Sequence, residues 1–212
     1  MRRVGTCIDR AKAIFREHGG MLRTSEALRL GISPLTLYEM RDSVVIEKLS
    51  RGLYRLTSMP PLSNPDLVAV ALRVPDSVLC LISALTFHNL TVQIPHEIQI
   101  AVSRNSRTPR IDHPPVRVFR FAENAFHAGI ETHKVDQIPV RVYSPEKTIV
   151  DCFKYRSKVG TDTAIEALRL YKEQRRAKID DVLKFARVCR VEKVMRPYLE
   201  ALLQAVARQQ LL

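Results

Sequence analysis

The chain has little that would place it in a membrane, around a metal or in a secreted disulfide scaffold. No run of about 18 apolar residues occurs in it, and the apolar stretch at 78–85 suffices only for a buried strand or the start of a helix. The opening Met1-Arg2-Arg3-Val4-Gly5 has two arginines and no apolar segment behind them, so no secretory signal is expected. Its four cysteines, Cys7, Cys80, Cys152 and Cys189, are scattered, with no CxxC and no zinc-type Cys/His spacing. Reduced thiols in a cytoplasmic protein are the expectation. His113, His127 and His133 do not recur at ligand spacing, so neither a metal nor a cofactor is expected. Internal repeats and low-complexity tracts are missing as well. Acidic residues are scarce against basic ones, 22 Asp+Glu to 34 Lys+Arg, a net charge of +12. That surplus points to a polyanionic partner, a nucleic acid or an anionic membrane surface. The missing membrane segment favours the nucleic acid. The apolar fraction, 46%, is that of an ordinary globular protein.

What is there is concentrated in the first 57 residues. Thr24 is placed to cap a short helix whose Ala27, Leu28 and Leu30 supply an apolar face. Gly31 ends that helix, because the left-handed position after a helix C-terminus favours glycine. Ser33 caps the next helix and Pro34 takes its first position, where a missing N–H costs nothing. Two short helices around a glycine turn have helix-turn-helix spacing, the second lying in a DNA major groove. An earlier helix over 7–18 presents Ala11, Ile14 and Phe15 on one face and stops at Gly19-Gly20. Two β-prone runs, 44–49 and 53–56, flank Ser50-Arg51-Gly52 and predict a hairpin, the wing of a winged helix.

Candidate DNA contacts follow from this placement. Ser33, Thr36, Tyr38 and Arg41 lie on or before the second helix; Lys48, Arg51 and Arg55 lie on the wing, within reach of phosphates. With Leu37 and Met40 facing the core, the opposite face carries Leu35, Tyr38, Glu39 and Asp42, and Arg41 sits on the flank. Glu39 and Asp42 repel phosphates, although a carboxylate can accept from a cytosine amine. A winged helix used for protein contact is the competing reading.

The segment 58–65, with three prolines, reads as a linker, and 66–212 as a second domain. That domain opens with a helix over 66–73, capped by Asn64. Strands are expected at 77–82, 97–102, 116–121, 129–135 and 139–143, with a short helix at 84–89. Ser144-Pro145 repeats the cap-plus-proline start for a helix over 145–156. Helical periodicity then runs through 164–175, 180–189 and 191 to the end. Strands followed by helices make the fold class α+β: a winged helix-turn-helix, then a larger α+β domain with a helical C-terminal segment.

Taken together these residues resemble the AbiEi family of antitoxins of type IV toxin–antitoxin systems. The likeness runs through Gly19-Gly20, Leu22-Arg23-Thr24, Gly31-Ile32-Ser33, Arg51-Gly52-Leu53-Tyr54 and the linker. It continues through the stretch from Ser83 to Thr91, Ile94-Pro95, the stretch from Tyr143 to Phe153, and Ala164-Ile165-Glu166-Ala167-Leu168, spanning roughly residues 8–175. The resemblance implies a winged-helix DNA-binding domain joined to an antitoxin domain without enzymatic activity. It implies autorepression at inverted repeats in the protein's own promoter. It also implies a nucleotidyltransferase-like toxin that is countered without necessarily forming a stable complex.

The second domain offers further candidates. Arg104, Arg107, Arg110, Arg117 and Arg120 fall within 17 residues with one acid, Asp112. They read either as a phosphate-tracking edge, with Arg104, Arg107 and Arg110 as contacts, or as a solvated basic face. Lys172, Arg175, Arg176 and Lys178 close a helix, where cations complement the dipole. His88 is expected to be buried and hydrogen-bonded, and Ser83 to cap a helix, since no G-x-S-x-G surrounds it. Lys147 and Asp151, four residues apart, are expected to pair. The alternative function is a metal-dependent nuclease guided by the winged helix; its nearest fragment, Glu97-Ile98-Gln99, lacks the lysine and the aspartate partner such a site needs.

Overall fold

A computed structural model describes residues 2–174 and 177–209. The chain divides into two compact units, Met1–Arg73 and Val74–Leu212.

In the first unit, helix α1 (Arg2–Glu17) precedes strand β1 (Met21–Arg23), helices α2 (Thr24–Arg29) and α3 (Pro34–Asp42), strands β2 (Ile46–Ser50) and β3 (Leu53–Leu56), and helix α4 (Pro65–Arg73). The strands form an antiparallel sheet in the order β1-β3-β2. Ala11 and Phe15 from α1, Ala27 from α2, Leu37 and Met40 from α3, and Leu22, Ile46 and Leu56 from the sheet make one apolar core. This is a winged helix. Its third strand, β1, was not expected from the sequence, and it makes β3 the centre of the sheet rather than one half of a hairpin.

Thr24 does not cap α2. The cap position is Arg23, and the Thr24 hydroxyl instead donates to the Gly52 carbonyl at 3.3 Å, with the Thr24 N–H on the same oxygen at 2.8 Å. Helix start and wing turn are thereby tied together. The other end of α2 follows the sequence: Ile32 N–H bonds Ala27 O and Gly31 N–H bonds Leu28 O, with Gly31 at φ +86°. That is the hydrogen-bond pair of a glycine-terminated helix.

The prolines of 58–65 do not separate α4 from the winged helix: α4 belongs to the first unit and packs against β2, and the division falls after Arg73. The Pro-rich segment is held to the sheet, as Met59 packs on the core and Arg55 donates to the Pro60 carbonyl.

The second unit is built on a five-stranded sheet in the order β6-β5-β4-β8-β7. These strands are β4 (Val78–Leu79), β5 (Ile98–Ser103), β6 (Val116–Phe121), β7 (Ile130–Val135) and β8 (Ile138–Tyr143). β5 runs parallel to β6 and β4 to β8; the other neighbours are antiparallel. Its helices are α5 (Leu81–Phe87), α6 (Glu123–His127), α7 (Pro145–Lys154), α8 (Arg156–Val159), α9 (Thr161–Glu173), α10 (Ile179–Val188) and α11 (Glu192–Gln209). α7 is the central helix, packed on α5, α9 and α10, with every side chain from Lys147 to Phe153 buried. Ser144 caps it as expected, accepting from the Lys147 N–H at 3.3 Å.

The strand expected at 77–82 shrinks to Val78–Leu79, and α5 starts at Leu81. A contact from outside the segment causes this. The side-chain oxygen of Gln99, on β5, accepts from the Ile82 N–H at 3.0 Å and so supplies the missing cap. Ser83, expected to cap, instead accepts from the Gln99 N–H at 2.9 Å. The helix expected over 145–156 breaks at Tyr155, and α6 was not foreseen.

Candidate nucleic-acid interface

The helix-turn-helix positions α3 through its first residue. Ser33 Oγ accepts from the Thr36 N–H at 3.1 Å and lies 2.9 Å from Thr36 Oγ1, so both hydroxyls are engaged in starting the helix. With Leu37 and Met40 buried, the outward face shows Leu35, 67% exposed, and Tyr38, 52% exposed. Arg41 is not a free cation. Its Nη2 is 2.7 Å and its Nε 2.9 Å from Asp42 Oδ1, and its guanidinium lies 5.1 Å from the Tyr38 ring centroid. The hydrogen bond to Asp42 holds Arg41 above its ordinary range, so it is charged at any working pH. Asp42, an apparent repellent of phosphate, is largely neutralised by its neighbour. The outward surface of α3 is therefore an apolar and aromatic patch edged by one braced guanidinium, with the half-buried carboxylate of Glu39 beside it. Such a surface is chemically suited to contact with thymine methyl groups.

On the wing, Lys48 is exposed on β2, and Arg51 is exposed in the turn, next to Gly52 at φ +71°. Arg55 is not a phosphate contact. It is 5% exposed; its Nη1 sits 2.8 Å from Glu47 Oε1 and its Nη2 donates to the Pro60 carbonyl. The reason is the third strand: with β1 paired to one side and β2 to the other, β3 has both neighbours, and Arg55, directly across from Glu47 and Met21, is enclosed. Buried guanidinium groups need partners, and among the described buried side-chain atoms Arg55 Nε is without one.

In the second unit Arg104, Arg107 and Arg110 are exposed on the connection between β5 and β6. Among the described residues their guanidinium groups form no ion pair with a carboxylate. The other two arginines of the run do different work. Arg120 donates from Nη1 to the carbonyls of Arg104 at 2.9 Å and Ser106 at 2.7 Å, and from Nη2 to Thr108 Oγ1 at 2.7 Å, fixing the loop from beneath. Arg117 pairs with Glu97 at 3.3 Å. Glu97, the nearest fragment of a nuclease site, is thus engaged by an arginine, and Gln99 by the start of α5. Among the described residues no cluster of three His, Cys, Asp or Glu is arranged to hold a metal, and no helix is long and apolar enough to cross a membrane. Of the basic group after α9, Arg175 and Arg176 lie outside the described residues, while α9 ends at Glu173.

The buried polar groups of α7 pair with each other inside the second unit. Lys147 Nζ and Asp151 Oδ2 are 2.5 Å apart with both side chains at 0% exposure, and Lys147 lies over the Tyr143 ring at 4.2 Å. Burial pushes the Asp151 carboxyl up, and Lys147 works against that shift. His88 is largely enclosed and donates from Nε2 to the Tyr143 carbonyl at 2.7 Å; burial lowers its pKa, so it is neutral near pH 7.

Residues 9–57 match the profile of a family described as transcriptional regulator, AbiEi antitoxin. No curated protein matches the chain. The matched residues are those that carry α2, the glycine turn, α3 and the wing, and they fold as a winged helix. Over these residues the chain is similar to the AbiEi antitoxin transcriptional regulators.

Proposed function

We propose that the protein binds double-stranded DNA in the promoter of its own operon, at inverted repeats, and represses that operon. In this reading α3 enters the major groove, with Leu35 and Tyr38 against base edges, Ser33 and Thr36 at its leading end and Arg41 at its flank. Lys48 and Arg51 rest on the phosphate backbone. The observation that carries it is the outward face of α3: two large exposed side chains and a braced arginine beside a wing whose tip is basic. Residues 1–57 supply this activity. The second unit, Val74–Leu212, counters a nucleotidyltransferase-like toxin in the cytoplasm, without a stable complex being required, and Arg104, Arg107 and Arg110 give it a phosphate-facing edge. The family supports the regulator and antitoxin roles; the net charge of +12 supports the nucleic-acid contacts.

An electrophoretic shift of the intact protein on its own upstream DNA tests the first part, with Tyr38→Ala expected to lose preference for that DNA over a scrambled duplex. Growth rescue by the same variant tests the second. If rescue from the toxin persists when operator preference is gone, the two roles are separable as proposed. If both are lost in a folded protein, the division of labour is wrong.

A further inference from the structure

The second unit contains a cavity of about 360 Å³ lined by Ala122, Glu123, Asn124, Ala125, Lys154, Val188, Cys189 and Arg190. It lies where β5 and β6, parallel and in register to their last residues Ser103 and Phe121, reach their carboxyl ends; the lining residue Ala122 follows Phe121 directly. The carboxyl ends of parallel strands are where open sheets most often take ligands, and the volume lies in the range of small-molecule sites.

Its charges are unbalanced in a particular way. Lys154 and Arg190 form no ion pair among the described residues. The one acid in the lining, Glu123, is already engaged, accepting from the Ser103 hydroxyl and lying 3.2 Å from His127 Nε2. The lining therefore carries two cations against one carboxylate, and that carboxylate is turned toward Ser103 and His127 rather than paired with either cation. Cys189, at its wall, is no nucleophile: burial holds its thiol at about 11, and the thiol donates to Asp151 at 3.6 Å. The cavity is suited to binding rather than to covalent chemistry.

Arg190 also sits on unusual backbone. It stands at φ +58°, just past the end of α10. Its N–H bonds Arg187 O and the Val191 N–H bonds Ala186 O, the hydrogen-bond pair that ordinarily places glycine at this position. A side chain there costs backbone strain, as it does at Val44, which stands at φ +57° in the same pair of bonds after α3. The structure holds an arginine, against its backbone preference, at the rim of a cavity already furnished with a lysine.

We propose that this cavity is a binding site for a small phosphate-bearing molecule, with Lys154 and Arg190 on the phosphate oxygens, the Asn124 amide beside them, and Ala122, Ala125 and Val188 against the uncharged remainder. Arginine and lysine together match phosphate oxygens in number and charge. The site is independent of DNA binding by the first unit.

The test is calorimetric titration of the intact protein with pyrophosphate and, separately, with ATP. Both are expected to bind. Equal affinity places recognition in the phosphates, and tighter ATP binding adds the apolar wall; either result supports the site. Lys154→Met is expected to weaken binding roughly tenfold or more, the worth of one charge-assisted hydrogen bond. Arg107→Ala/Arg110→Ala, on the exposed loop, is expected to leave it unchanged. Arg190→Gly separates function from structure: it relieves the strained backbone, so the unfolding midpoint rises while binding weakens. No binding of either probe would overturn the proposal. So would binding that survives both Lys154→Met and Arg190→Gly, or that is lost only in the loop variant.

Discussion

Replacing Lys147 by methionine removes the cation from the most deeply enclosed ion pair in the second unit. Methionine fills a similar volume and keeps a favourable contact with the Tyr143 and Phe121 rings that flank the ammonium. The damage is therefore electrostatic: the Asp151 carboxylate is left uncompensated at 0% exposure. Breaking a buried pair from one side costs about 3–5 kcal/mol. The carboxyl has one escape, which is to take up a proton. From its ordinary pKa of 3.8, protonation costs about 4.4 kcal/mol at pH 7 and about 1.6 kcal/mol at pH 5, at 1.36 kcal/mol per pH unit. Lys147→Met should thus destabilise the unit by about 4 kcal/mol at pH 7, and by up to about 2.7 kcal/mol less at pH 5. That is a large share of a typical domain stability of about 5–15 kcal/mol. The double variant Lys147→Met/Asp151→Leu removes both charges and should recover most of the loss, with no such pH dependence. Urea unfolding followed by far-ultraviolet circular dichroism at pH 7 and pH 5 measures all three proteins. A single variant no less stable than the double, or one whose deficit is the same at both pH values, would refute the reasoning.

Three further outcomes follow from the structure. Arg51→Ala should weaken DNA binding about equally on all sequences and lower the salt slope by about 1, whereas Arg55→Ala should lower the unfolding midpoint of the first unit and leave the slope alone; anisotropy titrations over a salt series separate the two. His88 has its pKa lowered by burial, so the folded unit binds fewer protons than the unfolded chain just below the ordinary value of 6.5, and stability falls as pH drops through that region. Replacing His88 by glutamine should remove that part of the acid sensitivity, and thermal melts at pH 7 and 5.5 would show an unchanged sensitivity if the assignment were wrong. Gly129→Ala should destabilise the second unit by about 2–4 kcal/mol, combining a left-handed alanine with overpacking, because at φ +71° the new Cβ would lie 2.8 Å from Lys147 Cβ; an unfolding midpoint within error of the parent would contradict this.

The sequence made some of this legible because certain residues act on their nearest neighbours. Ser33-Pro34 and Ser144-Pro145 start their helices through bonds three residues away, and the turn at Gly31 ends one through bonds three and five residues back. Alternation was enough to find β6 at its observed bounds. The misses share a different cause: each depends on a partner distant in the chain. Arg55 reads as a wing cation until β1 is known to pair with β3. Thr24 looks like a cap until Gly52 is known to lie beside it. α5 begins early because Gln99, 17 residues on, supplies its cap. Of the DNA-contact candidates, Lys48, Arg51, Arg104, Arg107 and Arg110 are exposed, Arg41 is braced by Asp42, and Arg55 is committed to the fold. The cavity near Arg190 left no trace in the sequence, since its lining comes from three separate segments.

The central claim is that α3 and the wing bind duplex DNA, and its most direct test is the affinity of the intact protein for its own upstream duplex between 50 and 200 mM salt. With Lys48 and Arg51 each neutralising one phosphate, the fourfold rise in salt should lower that affinity about tenfold, and more if Arg104, Arg107 and Arg110 also engage. Preference over a scrambled duplex of equal length should persist across the series. An affinity unchanged by salt, or equal for the two duplexes at every salt concentration, would contradict the account.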